Sequence, residues 1–323
     1  MKNLWLIIFF MLFCAPQAKA VNMVQEESYF DVPLETTGLP NYPPFSQYIQ
    51  IDQDTAMLES AFMQPMLDVM EKHKMKIFPA KVGDANIAAD MLLLNVRSGK
   101  MKLFIGAYTD TQMYKGLQMI FPASISNPIH LITMPDEQEK IKTLEDLKSL
   151  RGVASKTEYF SDFVNRKLAE LGVQFTDNSF EAYRMVITGE ADYMIGSQYY
   201  NRMMLSRYGL SNFLTYSKNP LFKIPVFIAI SKVTPRLSQY LNAFREEFSK
   251  PEFAQAVKQE IIRMINEEAE KYDGTVPPSF AKHDIEGDED DVLEADQAEK
   301  KPEGHIVEQK VEEKSIDDVL EGI

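Results

Sequence analysis

What most limits the fold of this chain is an alternation of strand-like and helix-like segments that runs through it twice. In the first block, 76–79 reads as a short strand, 88–96 as a helix ending at Ser98-Gly99, and 103–108 as an unbroken apolar run, the mark of a buried strand. Ahead of them Phe62, Met66, Val69 and Met70 fall on one helical face, which Pro65 must start or kink. The second block repeats the rhythm. Segment 129–134 reads as a strand, 143–150 as a short helix capped by Thr143, and 152–154 as a strand. Phe160, Phe163, Val164, Leu168 and Leu171 form a helical stripe stopped at Gly172, and Phe180, Tyr183 and Ile187 mark a helix stopped at Gly189. Segments 193–196 and 225–231 are strands, and Leu237, Leu241, Phe244 and Phe248 form a last stripe. Alternation of this kind calls for mostly parallel sheets covered by helices, and its repetition predicts two α/β lobes.

The ends of the chain read differently. Residues 1–20 combine Lys2, an apolar stretch over 4–13 and the terminus Ala18-Lys19-Ala20, the composition of a cleaved secretory signal, so a periplasmic protein beginning near Val21 is expected. The single cysteine, Cys14, lies in that segment, and Met11-Leu12-Phe13 before it lacks the small residues a lipid attachment site would need. The mature chain is therefore expected to hold no disulfide, thiolate nucleophile or cysteine metal site. Beyond residue 20 no apolar run approaches the ~20 residues that span a bilayer. The formal charge of -14 argues against a nucleic-acid partner. Most of it sits in 282–323, where 16 acidic residues face 5 lysines, and 273–323 reads as a disordered acidic tail. Within the tail Asp290-Asp291-Val292-Leu293-Glu294 returns as Asp317-Asp318-Val319-Leu320-Glu321, a repeat read as solvated, and 288–291 lacks the spacing of a calcium loop.

Nothing in the motifs points to a metal or cofactor. His73, His130, His283 and His305 are scattered, neither Gly-x-Ser-x-Gly nor His-Glu-x-x-His occurs, and Met63, Met66 and Met70 have the helical spacing of core filling.

Several short stretches carry a resemblance. Tyr42-Pro43-Pro44-Phe45, a proline-stiffened loop expected to hold its two rings outward, looks like an aromatic-x-Pro-Phe loop, 98–106 like a Ser-Gly-Lys strand entry, and Phe121-Pro122-Ala123-Ser124 stands where a Phe-Ser-x-Pro crossing segment would. Residues 144–153 look like an Asp-Leu-Lys-Gly lobe opening, and Gly189-Glu190-Ala191-Asp192 like a Gly-x-x-Asp turn. In order and spacing these resemble the family 3 extracellular solute-binding proteins over about 39–271. The resemblance implies the type II periplasmic-binding-protein fold: lobe 1 from 21–126 and 226–272, lobe 2 from 127–225, two hinge strands between them, and 193–196 in a different sheet from 103–105.

It also implies a ligand cleft between the lobes, with Tyr42, Phe45, Tyr108, Thr109, Thr111, Lys115, Ser155, Thr157 and Ser197 as candidate groups: rings to stack on a ligand, hydroxyls for hydrogen bonds, and Lys115 as the cation that would attract an anion. Three positions depart from the family pattern, one of them Lys102, which replaces an acidic residue before the strand and reads as a structural change. Lys115 stands near its carboxylate-clamping arginine, and a lysine lacks the planar fork. Ser197 replaces its ammonium-pairing aspartate. The expected function is therefore binding of a small polar or anionic solute by a monomer, for delivery to an inner-membrane permease or a sensor. The alternative is a dehydratase-like cleft enzyme in which Glu158 or Glu190 serves as acid or base.

Overall fold

The computed structural model describes residues 30, 32–109, 111–135, 141 and 146–271. Residues 1–20, expected to be a signal segment, together with Thr143 and the acidic stretch 273–323 with His283 and His305, lie outside the described residues.

In chain order the elements are β1 (Leu34–Gly38), β2 (Gln47–Asp52), β3 (Thr55–Glu59), α1 (Met63–Met70), β4 (Ile77–Pro79), β5 (Lys81–Val82), α2 (Ala89–Arg97), β6 (Leu103–Ala107), β7 (Leu117–Met119) and β8 (Ile125–Thr133). They continue with β9 (Gly152–Ser155), α3 (Asp162–Glu170), β10 (Gln174–Thr176), α4 (Ser179–Ile187), β11 (Tyr193–Ser197), α5 (Gln198–Arg207), β12 (Thr215–Tyr216), β13 (Phe222–Ser231), α6 (Leu237–Phe248) and α7 (Pro251–Lys271). None of these helices is long and apolar enough to cross a membrane.

Hydrogen bonding orders the main sheet β10-β9-β11-β8-β13-β6-β1-β4, and β2-β3-β5 form a small second sheet. In lobe 1, β4, β1 and β6 run parallel. In lobe 2, so do β10, β9 and β11. The long strands β8 and β13 cross between the lobes as an antiparallel pair, from Phe222 opposite Ile129 to Val226 opposite Ile125. β13 then continues along β6 and β8 along β11. The expected separation of 193–196 from 103–105 therefore needs correction: both belong to one curled sheet, joined because each crossing strand is long enough to serve both lobes.

Burial explains the elements that the sequence announces. Every residue of β6 and of β11 is buried, as continuous apolar runs require. Ser161 caps α3 by accepting from the Val164 N–H, and Asn178 caps α4 by accepting from the Glu181 N–H at 2.8 Å.

Two elements go beyond the sequence reading. β1 precedes the first strand read from the sequence, yet it is central, between β4 and β6; Thr36 and Thr37 are fully buried, and Thr37 Oγ1 shares a 2.5 Å hydrogen bond with the Tyr48 hydroxyl. α7 buries Phe253, Val257, Ile261 and Met264, and it packs on α1 and α6 of lobe 1 and also on α5 of lobe 2. At its end Glu268 pairs with Arg207 of α5, whose Nη2 donates to Gln47 Oε1 of β2 at 2.8 Å. Lys271 also reaches Glu268, at 3.1 Å. The last helix thus clasps the two lobes together.

Candidate functional site

The lobes meet along an aromatic seam. The loop after β1 turns both of its rings inward, and Tyr42 and Phe45 are fully buried, where a proline-stiffened loop holding two rings outward was the expectation. Tyr42 packs on Tyr200 of α5 and on Tyr159, with ring centroids at 5.5 and 5.8 Å, and Phe45 packs on Tyr199 at 6.0 Å. These are the protein's own rings occupying the places where a stacked ligand was anticipated.

A hydrogen-bonded chain runs through the same seam. The Tyr42 and Tyr108 hydroxyls lie 3.2 Å apart, and Asn127 Nδ2 on the crossing strand donates to both, at 3.1 and 3.3 Å. Asn127 Oδ1 accepts from Ser197 Oγ at 2.7 Å. The Ser197 N–H donates to Glu158 Oε2 at 2.6 Å, and Asn201 Nδ2 donates to Glu158 Oε1 at 2.8 Å. Asn201 Oδ1 in turn accepts from the Tyr183 hydroxyl at 2.5 Å. Lobe 1, hinge and lobe 2 are tied by one connected network whose members are nearly all fully buried, so each polar group has a partner where leaving it bare would be costly. Gly196 makes room for it: a Cβ there would stand 2.6 Å from Glu158 Oε1 and closer still to the Asn201 amide.

Glu158 is the ionisable centre of this network. It is 3% exposed, and burial pushes its carboxyl up to about 8, against the opposing pull of the Ser197 and Asn201 hydrogen bonds. Among the described residues no cation pairs with it. It also lines a pocket of about 270 Å³ walled by both lobes, with Thr111, Met113 and Tyr114 on one side and Lys156, Tyr159, Asp162 and Phe175 on the other. The Thr111 hydroxyl is buried and has no hydrogen-bond partner. The Gln112 N–H reaches across to Asp162 Oδ2 at 3.3 Å.

The nine candidate residues separate into three groups. Tyr42, Phe45, Tyr108 and Ser197 form the seam. Ser155 and Thr157 share a 2.7 Å hydrogen bond in lobe 2, and Thr157 shares others of 3.0 Å with Ser179 and Tyr200. Thr109, Thr111 and Lys115 line a cavity of about 500 Å³ in lobe 1 with Gly116, Leu117 and Lys232, and Thr111 also lines the interlobe pocket. Lys115 is exposed there, and its carbonyl accepts from Arg97 Nε at 3.1 Å. Asn127, Asn201, Tyr159 and Asp162 carried no signal in the sequence that would have singled them out. Glu190, the other carboxylate considered for acid–base work, is exposed and held below its usual range first by its hydrogen bonds from Arg184. His73 meets Glu246 and Glu247, but Glu247 is already paired with Lys72 at 2.6 Å and Lys250 at 2.9 Å.

No family model matches the chain, and none of the curated proteins does. Solved structures do match. A binding component of an ABC transporter from Wolinella succinogenes, complexed with lysine, is 16% identical over 72% of this chain and 94% of its own, with a TM-score of 0.54. An amino-acid ABC transporter substrate-binding protein from Streptococcus pneumoniae, bound to L-arginine, is 12% identical over 73% of this chain and 96% of its own, with a TM-score of 0.52. The GluR0 ligand-binding core complexed with L-glutamate is 14% identical over 75% and 99%, with a TM-score of 0.50. At such identities the likeness is one of fold: two α/β lobes on a pair of crossing strands, as in binding proteins.

Proposed function

We propose that this protein binds a small polar solute in the pocket between its lobes, in an exported compartment, and presents it to a permease or a sensor. The observation that carries the reading is the pocket itself, built from both lobes, with the buried Glu158 in its lining. Ligands favour such interfaces because lobe closure can surround them. The solved binding proteins of this fold support it, and the composition of 1–20 supports export. The lobe boundaries at 126–127 and 225–226 belong to the same proposal. The anionic branch of the expectation rested on Lys115, which opens into the other cavity, so the pocket favours a polar solute without that anchor.

A cleft enzyme is the second reading, favoured by one observation: a carboxyl raised to about 8 is suited to proton transfer near neutral pH. Against it, no second titratable group stands within bonding distance of Glu158 among the described residues.

The test is native mass spectrometry of gently purified protein, followed by Asn165→Trp, which places a ring on an exposed helical position at the pocket wall. A co-purified small molecule that this variant no longer retains supports the reading. A molecule retained equally by both proteins would place the binding elsewhere.

A further inference from the structure

The chemistry of the interlobe pocket narrows the solute class. Two carboxyl groups line it, Glu158 and Asp162, and its one lysine, Lys156, is already ion-paired with Asp177 at 2.6 Å. Each Glu158 oxygen accepts a single hydrogen bond, which leaves lone pairs available to a further donor. Aromatic rings of Tyr114, Tyr159 and Phe175 supply π-faces of the kind that attract organic cations. A carboxylate would meet the Asp162 carboxyl and a lysine that already has Asp177 as partner, with no arginine fork to hold it.

Resting on the interlobe reading above, we propose that the pocket takes a small organic amine that carries no carboxylate, with Glu158 as its counter-ion and the residue that sets specificity. Gly196 is a positioning residue in this arrangement, since the space it leaves allows Glu158 and Asn201 to meet.

A pH signature follows. With the pocket empty, burial keeps Glu158 protonated up to about 8, so an arriving ammonium must displace that proton. The groups facing Glu158 are Tyr42 from the loop after β1, Tyr183 from α4, Tyr200 from α5 and Tyr216 from β12, together with Lys156 and Asp162 in the pocket. Those tyrosines are all held neutral well above 8 by burial, which leaves Glu158 as the titrating partner over pH 6–8. Amine affinity should therefore fall about tenfold for each pH unit between 8 and 6. A neutral guest that accepts a hydrogen bond from the protonated acid would show the opposite trend, weakening above 8.

The experiment is thermal-shift screening, then calorimetry, with small alkyl, aryl and quaternary ammonium ions beside carboxylates, polyols and amino acids of matched size, on the wild type, Glu158→Gln and Asn165→Trp. Binding by amines, weakened at least tenfold in Glu158→Gln and following the stated pH trend, is the expected result. If Glu158→Gln fails to fold, the wild-type pH profile decides alone. Carboxylates or polyols that bind, and are lost in Asn165→Trp, would overturn the amine class while leaving the interlobe site standing. The absence of any binding, or binding untouched by Asn165→Trp, would overturn both.

Discussion

Replacing Gly196 by alanine tests the central network most directly. The new methyl would enter the space held by the Asn201 amide and stand 2.6 Å from Glu158 Oε1, so one or both side chains must leave. Overpacking of this sort costs about 1–3 kcal/mol, and a lost hydrogen bond to the neutral acid about 0.5–1.5 kcal/mol. A net destabilisation of about 2–4 kcal/mol lowers the melting temperature by roughly 4–16 °C for a folded region of this size. The variant should also change how stability depends on pH. In the wild type Glu158 titrates from 4.5 when unfolded to about 8 when folded. Its contribution is thus fully present below 4.5 and is lost as pH rises to 8. At about 1.4 kcal/mol per pH unit, the loss is on the order of 5 kcal/mol. Once the carboxylate is displaced toward water, that slope should flatten. Melting curves at pH 5, 7 and 9 for both proteins provide the assay. A variant that melts with the wild type at pH 5 and keeps its slope would refute both the packing and the protonation argument.

Three further outcomes are expected. Arg207→Ala removes the links to Glu268 and Gln47 while Lys271 remains on Glu268, and it should cost about 1–3 kcal/mol in chemical denaturation and raise the radius of gyration in X-ray scattering; an unchanged radius would mean that the clasp does not hold the lobes. Asn127→Ala leaves Ser197 Oγ without its acceptor and two tyrosine hydroxyls without their donor, and should destabilise by about 2–4 kcal/mol in thermal melts. Lys115→Ala, in the separate lobe 1 cavity, should leave calorimetric affinities for interlobe ligands within about twofold; a larger drop would bring Lys115 back to the cleft.

How much of this was legible depends on what each residue does. β6 and β11 are buried along their whole length, so their composition declared them, and the stripe Leu237, Leu241, Phe244 and Phe248 found α6 because one helical face packs inward. β1 was hidden because Thr36 and Thr37 are buried as hydrogen-bonding residues in a central strand, which no hydropathy pattern reports. The hairpin β2–β3 was hidden too, having Ile49 and Ile51 on its exposed side. At the site, the family resemblance pointed to Tyr42, Phe45, Tyr108 and Ser197, which meet at the seam, but could not say that lobe 2 would fill it with Tyr159, Tyr199 and Tyr200. Glu158 was visible as a carboxylate. Its importance comes from Ser197, Asn201 and Gly196, all some 40 residues away in sequence and joined to it only by the fold.

The last helix has a consequence for how the lobes move. Two crossing strands alone would form a hinge about which the lobes could swing, but α7 starts on lobe 1 and ends on α5, which makes a third, non-covalent connection. Because Glu268 and Arg207 belong to one chain, their reunion after each separation is intramolecular and proceeds at a high effective concentration. In the proposed solute-binding role, each exchange of ligand would wait on that clasp letting go.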